Sequence, residues 1–153
     1  MIEEGQMAPG VKLQLSDESE AKLSAYRGKP VILYFYPKDD TPGCTKEAIA
    51  FTDLADEFAQ AGATIIGVSK DPPAKHVKFA AKHDLKITLA TDADGSVTES
   101  FGVWVEKNMY GRKYMGIQRA TFLIDSDGKV ARVWPKVKVA GHAEAVLEEV
   151  KAL

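Results

Sequence analysis

Cys44 is the side chain best suited to chemistry, and it is the only cysteine among the 153 residues. It follows a Pro-Gly pair where an apolar run, 31–36, gives way to a segment with helical spacing. A thiol in the first turn of a helix meets unpaired backbone N–H groups and the positive end of the helix dipole, both of which favour an anion. An unassisted thiol is only a few per cent thiolate at neutral pH, so this setting is typical of a reactive thiolate.

The alternative for Cys44 is a purely structural role. Free cysteines are often small buried hydrophobes. However, Cys44 closes the pattern Pro-x-x-x-Thr-x-x-Cys, and it sits beside a Pro-Gly turn at a helix start. These are poor surroundings for a residue that only packs, so the sequence favours the reactive thiol.

Arg119 is the second candidate, because it lies within the apolar stretch 117–124, which is predicted to be a strand. A buried guanidinium must find an anion or several hydrogen-bond acceptors. A Cys44 thiolate at the mouth of the same sheet would be such an anion. An arginine at a strand edge whose head reaches solvent is an equally supported alternative.

Thr41 and Pro37 complete the set of candidate site residues. Thr41 precedes Cys44 by three residues, so a turn through 42–43 would bring its hydroxyl near the sulfur. There the hydroxyl could donate to the thiolate or accept from a bound molecule. A turn or helix-cap role is the alternative for Thr41. Pro37 has no backbone N–H and would shield one side of such a pocket from water.

The elements that must position these residues alternate between strands and helices. Short apolar runs predict strands, and apolar residues at three- and four-residue spacing predict helices, including one from Cys44 to Gly62. Residues 125–128 predict a hairpin turn between the last two strands. The predicted strands cover 11–15, 31–36, 63–69, 88–91, 117–124 and 129–134, and the later helices lie near 77–85, 96–101 and 143–150. This order predicts one α/β domain, 1–153, with a mixed central sheet and helices on both faces. Residues 102–116 have no clear assignment.

Charge and length exclude several classes of function. Twenty basic and twenty-two acidic residues leave a net charge of −2, so no basic stripe is available for nucleic acid or an anionic membrane. No apolar run approaches the ~20 residues of a membrane-spanning helix, and residues 1–6 do not resemble a signal peptide. We therefore expect a cytoplasmic protein.

The remaining polar residues predict neither a metal nor a cofactor. One cysteine excludes an internal disulfide and the usual zinc-ligand spacings. The histidines His76, His83 and His142 show no metal-ligand spacing and are expected at the surface or as loop caps. The acidic pair at 39–40 is expected to be solvated. Glycine-rich phosphate-binding motifs are absent.

The pattern from Pro37 to Cys44, followed by a helix and with Arg119 in a later strand, resembles the active site of the peroxiredoxins. The stretches 34–45, 106–111 and 136–143 resemble, more narrowly, the bacterioferritin comigratory protein or peroxiredoxin Q branch. The resemblance covers nearly the whole chain. It implies a thioredoxin-like fold and reduction of hydrogen peroxide and organic hydroperoxides through a cysteine sulfenic acid. It also implies that Cys44 is the nucleophile, that Arg119 stabilises the thiolate and the peroxide, and that Thr41 and Pro37 shape the pocket.

The chain departs from that branch because it has no second, resolving cysteine. Many members carry one either five residues after the first or on the following helix, where this chain has Ile49 and Ala80. A one-cysteine mechanism is therefore predicted, in which an external thiol from thioredoxin, glutaredoxin or a small molecule reduces the sulfenic acid. Alanine at position 80 is also consistent with an engineered removal. We expect a monomer or weak homodimer.

Two other classes of protein remain as alternatives. A dithiol-disulfide oxidoreductase would need a cysteine where Thr41 stands, which disfavours it. A non-enzymatic module with the same fold, such as a peroxide sensor or a holdase, would keep the reactive thiol without turnover.

Overall fold

The computed structural model describes residues 1–153 and contains nine strands, five α-helices and one turn of 3₁₀ helix at Leu23–Tyr26. The strands are β1 (Lys12–Leu15), β2 (Glu20–Lys22), β3 (Val31–Phe35), β4 (Thr64–Ser69), β5 (Thr88–Thr91), β6 (Trp104–Met109), β7 (Arg112–Ile117), β8 (Ala120–Ile124) and β9 (Val130–Trp134). The helices are α1 (Pro42–Asp53), α2 (Ala55–Gln60), α3 (Pro73–His83), α4 (Ser96–Phe101) and α5 (His142–Lys151). No helix has the length and apolar character needed to cross a membrane.

Seven strands form one mixed sheet in the order β2-β1-β5-β4-β3-β8-β9. The interior strand β3 runs parallel to β4 and antiparallel to β8, and β8 and β9 form the predicted hairpin. All five residues of β3 are buried, as expected of a strand covered on both faces. The prediction of an α/β fold with a mixed central sheet is confirmed.

Alternate residues of β3 point into two separate apolar layers, because successive side chains of a strand face opposite sides of the sheet. Ile32 and Tyr34 pack with residues of α1, α2, α3 and α5. Leu33 and Phe35 pack with α4 and the segment that follows it. Cys44 belongs to the first layer, so the candidate site lies on the side of the sheet that carries four helices.

Residues 102–116, which the sequence left unassigned, contain a two-stranded antiparallel hairpin of β6 and β7. Its tip, Tyr110-Gly111, has positive φ at both residues (53° and 80°), as a tight hairpin turn requires. Met109, Tyr114 and Met115 are exposed, so the hairpin lacks the alternation of apolar and polar residues that marks a half-buried strand. This explains why periodicity alone did not reveal it.

Two helix predictions were wrong in part. The segment from Cys44 to Gly62 is not one helix, because the backbone at Leu54 (φ −103°, ψ 6°) separates α1 from α2. In α3 the buried residues are His76 and Phe79. Val77, which the predicted apolar stripe included, is 52% exposed.

Gly67 allows β4 to lie against the ring of Tyr34. A Cβ at Gly67 would lie 2.7 Å from both Cζ and the hydroxyl oxygen of Tyr34. Tyr34 is fully buried and stacks on Phe51 at 4.8 Å between ring centroids, so a shift of its ring would disturb buried packing. We therefore expect Gly67→Ala to lower the free energy of unfolding by ~1–3 kcal/mol, the usual range for overpacking.

Chemical denaturation measures this effect. Gly10→Ala is the matched control, because a Cβ at Gly10 has nothing within 4 Å. Equal unfolding midpoints for the two variants would contradict the close packing of Gly67 against Tyr34.

Candidate active site

Cys44 is held by the connection from β3 to α1. The chain leaves the sheet after Phe35, turns through 37–41, and enters α1 at Pro42, with Thr41 as the N-cap residue. Proline suits the first helical position because its missing N–H would have no partner there. Cys44 is thus the third residue of α1, and it is only 2% exposed. Its sulfur lies in the first turn, as the sequence predicted.

Arg119 lies between strands, not within one, so that part of the prediction was wrong. Strand β7 ends at Ile117 and β8 begins at Ala120. The carbonyl of Arg119 instead accepts the backbone N–H of Val137, at 2.9 Å. The side chain is 17% exposed. Arg119, directly before the start of β8, is thus outside the strand, and its side chain reaches α1.

The guanidinium of Arg119 bridges two groups of α1. Its Nη2 lies 3.2 Å from Sγ of Cys44, and its Nη1 lies 2.7 Å from Oε1 of Glu47. Of the two alternatives that the sequence left open for Arg119, the structure shows the one that faces the thiol. A cation in contact with a buried sulfur favours the thiolate over the thiol.

Gly43 permits this contact. A Cβ at Gly43 would lie 3.2 Å from Nη2 of Arg119, which is closer than side chains normally pack. Glycine immediately before Cys44 therefore lets the guanidinium approach the first turn of α1 from the side.

Glu47 is a site residue that the sequence analysis missed. It lies three residues after Cys44 on α1, so the two side chains share one face of the helix. It is 1% exposed, and its second oxygen, Oε2, has no hydrogen-bond partner. Burial raises the pKa of Glu47 to about 7, although the charge of Arg119 acts to lower it. An acidic residue on the apolar face of α1 was the available signal.

Thr41 and Pro37 occupy the loop before α1. The Thr41 hydroxyl donates to the carbonyl of Lys38 at 2.8 Å, and no hydrogen bond joins it to Cys44. This is the turn role that the sequence left as the alternative for Thr41, although its hydroxyl oxygen can still accept a hydrogen bond. Pro37 is exposed on the same loop.

A buried polar network fixes this loop to the rest of the fold. The Asp39 carboxylate accepts from the Tyr36 hydroxyl at 2.6 Å and pairs with Nδ1 of His76 at 2.6 Å. The other ring nitrogen of His76 lies 3.0 Å from the carbonyl of Ala90. Both ring nitrogens of His76 therefore contact oxygen atoms. The backbone N–H of Asp39 also donates to the carboxylate of Asp71, at 2.8 Å.

The expectation of a surface position was therefore wrong for His76 and for Asp39, whose side chains are fully buried. It was also wrong for His142, which is buried and pairs through Nε2 with Oγ1 of Thr121 at 2.7 Å. Burial, helped by the charge of Arg119, lowers the pKa of His142 to about 4, so this ring is neutral at neutral pH. No group of three or more His, Cys, Asp or Glu side chains is arranged to hold a metal ion.

Together, these groups favour one kind of chemistry. A thiol in the first turn of a helix contacts a guanidinium that is itself fixed by a buried carboxyl group. Such a guanidinium can stabilise negative charge on the sulfur and on an oxygen beside it. The arrangement suits attack by a thiolate on a small polar substrate.

Comparison with known proteins points in the same direction. Residues 4–133 match the AhpC/TSA family. The chain is 48% identical to peroxiredoxin Bcp of Bacillus subtilis over 150 residues, which are 98% of this chain and 96% of that protein. It is 42% identical to peroxiredoxin Bcp of Escherichia coli over 150 residues, again 98% and 96% of the two chains.

Solved structures resemble this one closely. A structure of the bacterioferritin comigratory protein of Xanthomonas campestris, described in terms of its alkyl peroxide reduction activity, has a TM-score of 0.88 and 46% identity, over 93% of this chain and 90% of that one. Peroxidoxin BcpB of Mycobacterium tuberculosis has a TM-score of 0.88 and 37% identity, over 100% and 99% of the two chains. These neighbours confirm the predicted thioredoxin-like fold.

The relatives also bear on the missing second cysteine. Two structures of peroxiredoxin Q from Xanthomonas campestris carry single cysteine-to-serine replacements. The two replaced positions are as far apart in that chain as Cys44 and Ala80 are in this one. Here Ala80 lies on α3 and Ile49 on α1, and the chain has no thiol other than Cys44.

Proposed function

Since this chain belongs to the AhpC/TSA family and is a peroxiredoxin, a thiol peroxidase, we propose that it reduces hydrogen peroxide and organic hydroperoxides through Cys44, with an external thiol as reductant. The observation that carries the proposal is the 3.2 Å contact between Arg119 and the sulfur of the only cysteine. Alkyl peroxide reduction by the Xanthomonas relative supports the inclusion of organic hydroperoxides.

The first step is a displacement at oxygen. The Cys44 thiolate attacks one oxygen of the peroxide, an S–O bond forms, and the O–O bond breaks. The sulfur becomes a sulfenic acid, while the departing oxygen receives the electron pair of the broken bond and must take a proton. Arg119 contacts the sulfur before attack and stabilises the charge that develops on the departing oxygen.

Thr41 and Pro37 have supporting roles in this proposal. The Thr41 hydroxyl is oriented by its bond to Lys38, which leaves its oxygen to accept a hydrogen bond from the peroxide. Pro37 borders the pocket without adding a backbone donor that would hold water. The buried pair of Asp39 and His76 keeps their loop in place before substrate arrives.

Recycling must come from outside the chain, because Cys44 has no internal partner. One external thiol condenses with the sulfenic acid and releases water, which leaves a mixed disulfide. A second thiol attacks that disulfide and restores Cys44. Thioredoxin, glutaredoxin and small-molecule thiols can each supply this chemistry. A cytoplasmic location and a monomer or weak homodimer stay predictions.

Turnover with an added thiol tests the proposal. We expect the reduced protein to consume many equivalents of hydrogen peroxide when a thiol reductant is present, and about one equivalent when it is absent. Each reductant class is supplied separately, and peroxide loss is followed with time. Oxidation that stops at one equivalent with every reductant would favour a peroxide sensor and would contradict the proposed enzyme cycle.

A further inference from the structure

Glu47 is a buried titratable group that the displacement at Cys44, as described above, does not use. Two buried side-chain polar atoms lack hydrogen-bond partners, namely Oε2 of Glu47 and the hydroxyl of Tyr34. A carboxylate oxygen enclosed by protein and without a donor disfavours the charged form of its group. Because Oε1 of Glu47 accepts from Arg119, Oε2 is the oxygen that best carries a proton.

The charges around Arg119 lead to the same conclusion. Its guanidinium contacts both Glu47 and Cys44, and all three groups lie largely out of water. One cation cannot neutralise two buried anions, so the pair of acids retains one proton between them. When the sulfur is the anion, that proton is on Glu47.

We propose that Glu47 holds a proton in the resting enzyme and releases it as Cys44 is oxidised, so that it is the source of the proton taken by the departing oxygen. The inference rests on the proposed role of Cys44. The sulfur and Oε1 of Glu47 contact the two arms of one guanidinium, so Arg119 connects the carboxyl group to the place where a peroxide would meet the sulfur.

The step balances in charge and in protons. Before attack the three groups are thiolate, guanidinium and neutral carboxylic acid. The sulfur gains the hydroxyl oxygen of the hydroperoxide and loses two electrons, and the O–O bond is reduced by the same two electrons. The departing alkoxide or hydroxide takes the proton from Glu47 and leaves as alcohol or water. After the step the groups are sulfenic acid, guanidinium and carboxylate, so the buried site stays neutral throughout.

The pH dependence of a single turnover tests the proposal. The rate of Cys44 oxidation by hydrogen peroxide is expected to fall as pH rises through about 7, where Glu47 loses its proton. A Glu47 that only orients Arg119 predicts the opposite sign, because a charged carboxylate holds the guanidinium more firmly. A rate that rises or stays level through this range would therefore overturn the proposal.

Glu47→Gln separates the proton from the hydrogen bond. The amide oxygen can still accept from Arg119, but the side chain has no acidic proton to release. We expect the rate below about pH 7 to fall at least ~10-fold, since a positioned acid typically contributes more than that. The fall in the oxidation rate as pH rises through about 7 should also be absent in this variant. A decline that persists in Glu47→Gln would show that another group titrates.

The other titratable groups around the site are consistent with assigning the pH dependence to Glu47. Burial and the charges of Glu47 and Cys44 raise the pKa of Tyr34 well above its ordinary value, and the pKa of His142 is about 4. Burial lowers the pKa of Lys107 on β6, with a further contribution from Arg119. Because a lysine with a lowered pKa could also titrate, Lys107→Arg is a control that removes this titration. The proposal requires this variant to keep the fall in oxidation rate with rising pH. Asp39 contacts Nδ1 of His76, at 2.6 Å, and makes no hydrogen bond to Arg119 or Glu47. Exposed Glu57 on α2 supplies the matched control, and Glu57→Gln should leave the profile unchanged.

Infrared difference spectra report the protonation of Glu47 directly, without a rate measurement. Oxidation of the wild type should remove the carbonyl band of one protonated carboxylic acid, and Glu47→Gln should lack this change. Absence of the change in the wild type would overturn the proposal while leaving the peroxidase intact. If Cys44 is not the reacting group, peroxide consumption itself will survive in Cys44→Ser, so the two failures are distinguishable.

Discussion

Cys44→Ser is expected to abolish the rapid consumption of hydrogen peroxide. The change replaces the only thiol of the chain with a hydroxyl of similar size. An alcohol is not ionised near neutral pH, and the group that contacts this position is the cation of Arg119, which cannot act as a general base. Stopped-flow mixing of reduced protein with peroxide measures the effect directly.

Methionine oxidation is the expected source of any slow peroxide consumption that remains in Cys44→Ser. All four methionines of the chain, Met1, Met7, Met109 and Met115, are exposed, and their thioethers oxidise slowly to sulfoxides. Mass spectrometry separates these products from oxidation at position 44. Rapid consumption by a folded Cys44→Ser protein, shown to be folded by its circular dichroism, would exclude Cys44 as the nucleophile.

Arg119→Ala is expected to slow peroxide reduction by at least ~10-fold, which corresponds to ~1.4 kcal/mol of lost transition-state stabilisation. Loss of a donor aimed at developing oxyanion charge typically costs ~10²–10³-fold. The variant removes the contact to the sulfur at 3.2 Å and the cation that offsets buried Glu47. Loss of the contacting cation disfavours a negative charge on the sulfur, so the single-turnover rate should fall even at saturating peroxide.

Suitable variants separate chemistry from folding. Removal of one partner of a buried ion pair is destabilising, so the rate must be measured under conditions where Arg119→Ala is shown to be folded. Arg112→Ala on the exposed hairpin is the matched control for the loss of one positive charge. Arg119→Lys keeps the charge without the two-armed geometry and should react at an intermediate rate. An unchanged rate in Arg119→Ala would remove this arginine from the mechanism.

Much of the sheet was predictable because its central strands are strongly apolar. Strand β3 is buried along its whole length, and the apolar runs that became β4 and β8 are similarly distinct. The hairpin of β6 and β7 was not predictable in this way. It pairs only with itself and exposes side chains such as Tyr110 and Met115, so its sequence carries no pattern of one buried face.

The polar interior could not be predicted from spacing. His76 and Asp39 are 37 positions apart in the chain, yet their side chains meet at 2.6 Å. Each alone has the character of a surface residue, and only mutual pairing makes burial tolerable. Glu47 was missed for the same reason, since its burial depends on Arg119, which lies 72 positions away.

The sequence by itself determined the candidate nucleophile and its local setting, because Cys44, the Pro-Gly pair and the start of α1 are contiguous and helix-end electrostatics act over one turn. It also determined the class of fold through the order of its apolar segments. Only the tertiary structure decided which charges surround the sulfur. Arg119 leaves the sheet between β7 and β8, Gly43 gives its guanidinium room, and Glu47 holds its other arm. Such contacts depend on the packing of a distant strand end against α1, and no local pattern in a chain encodes them.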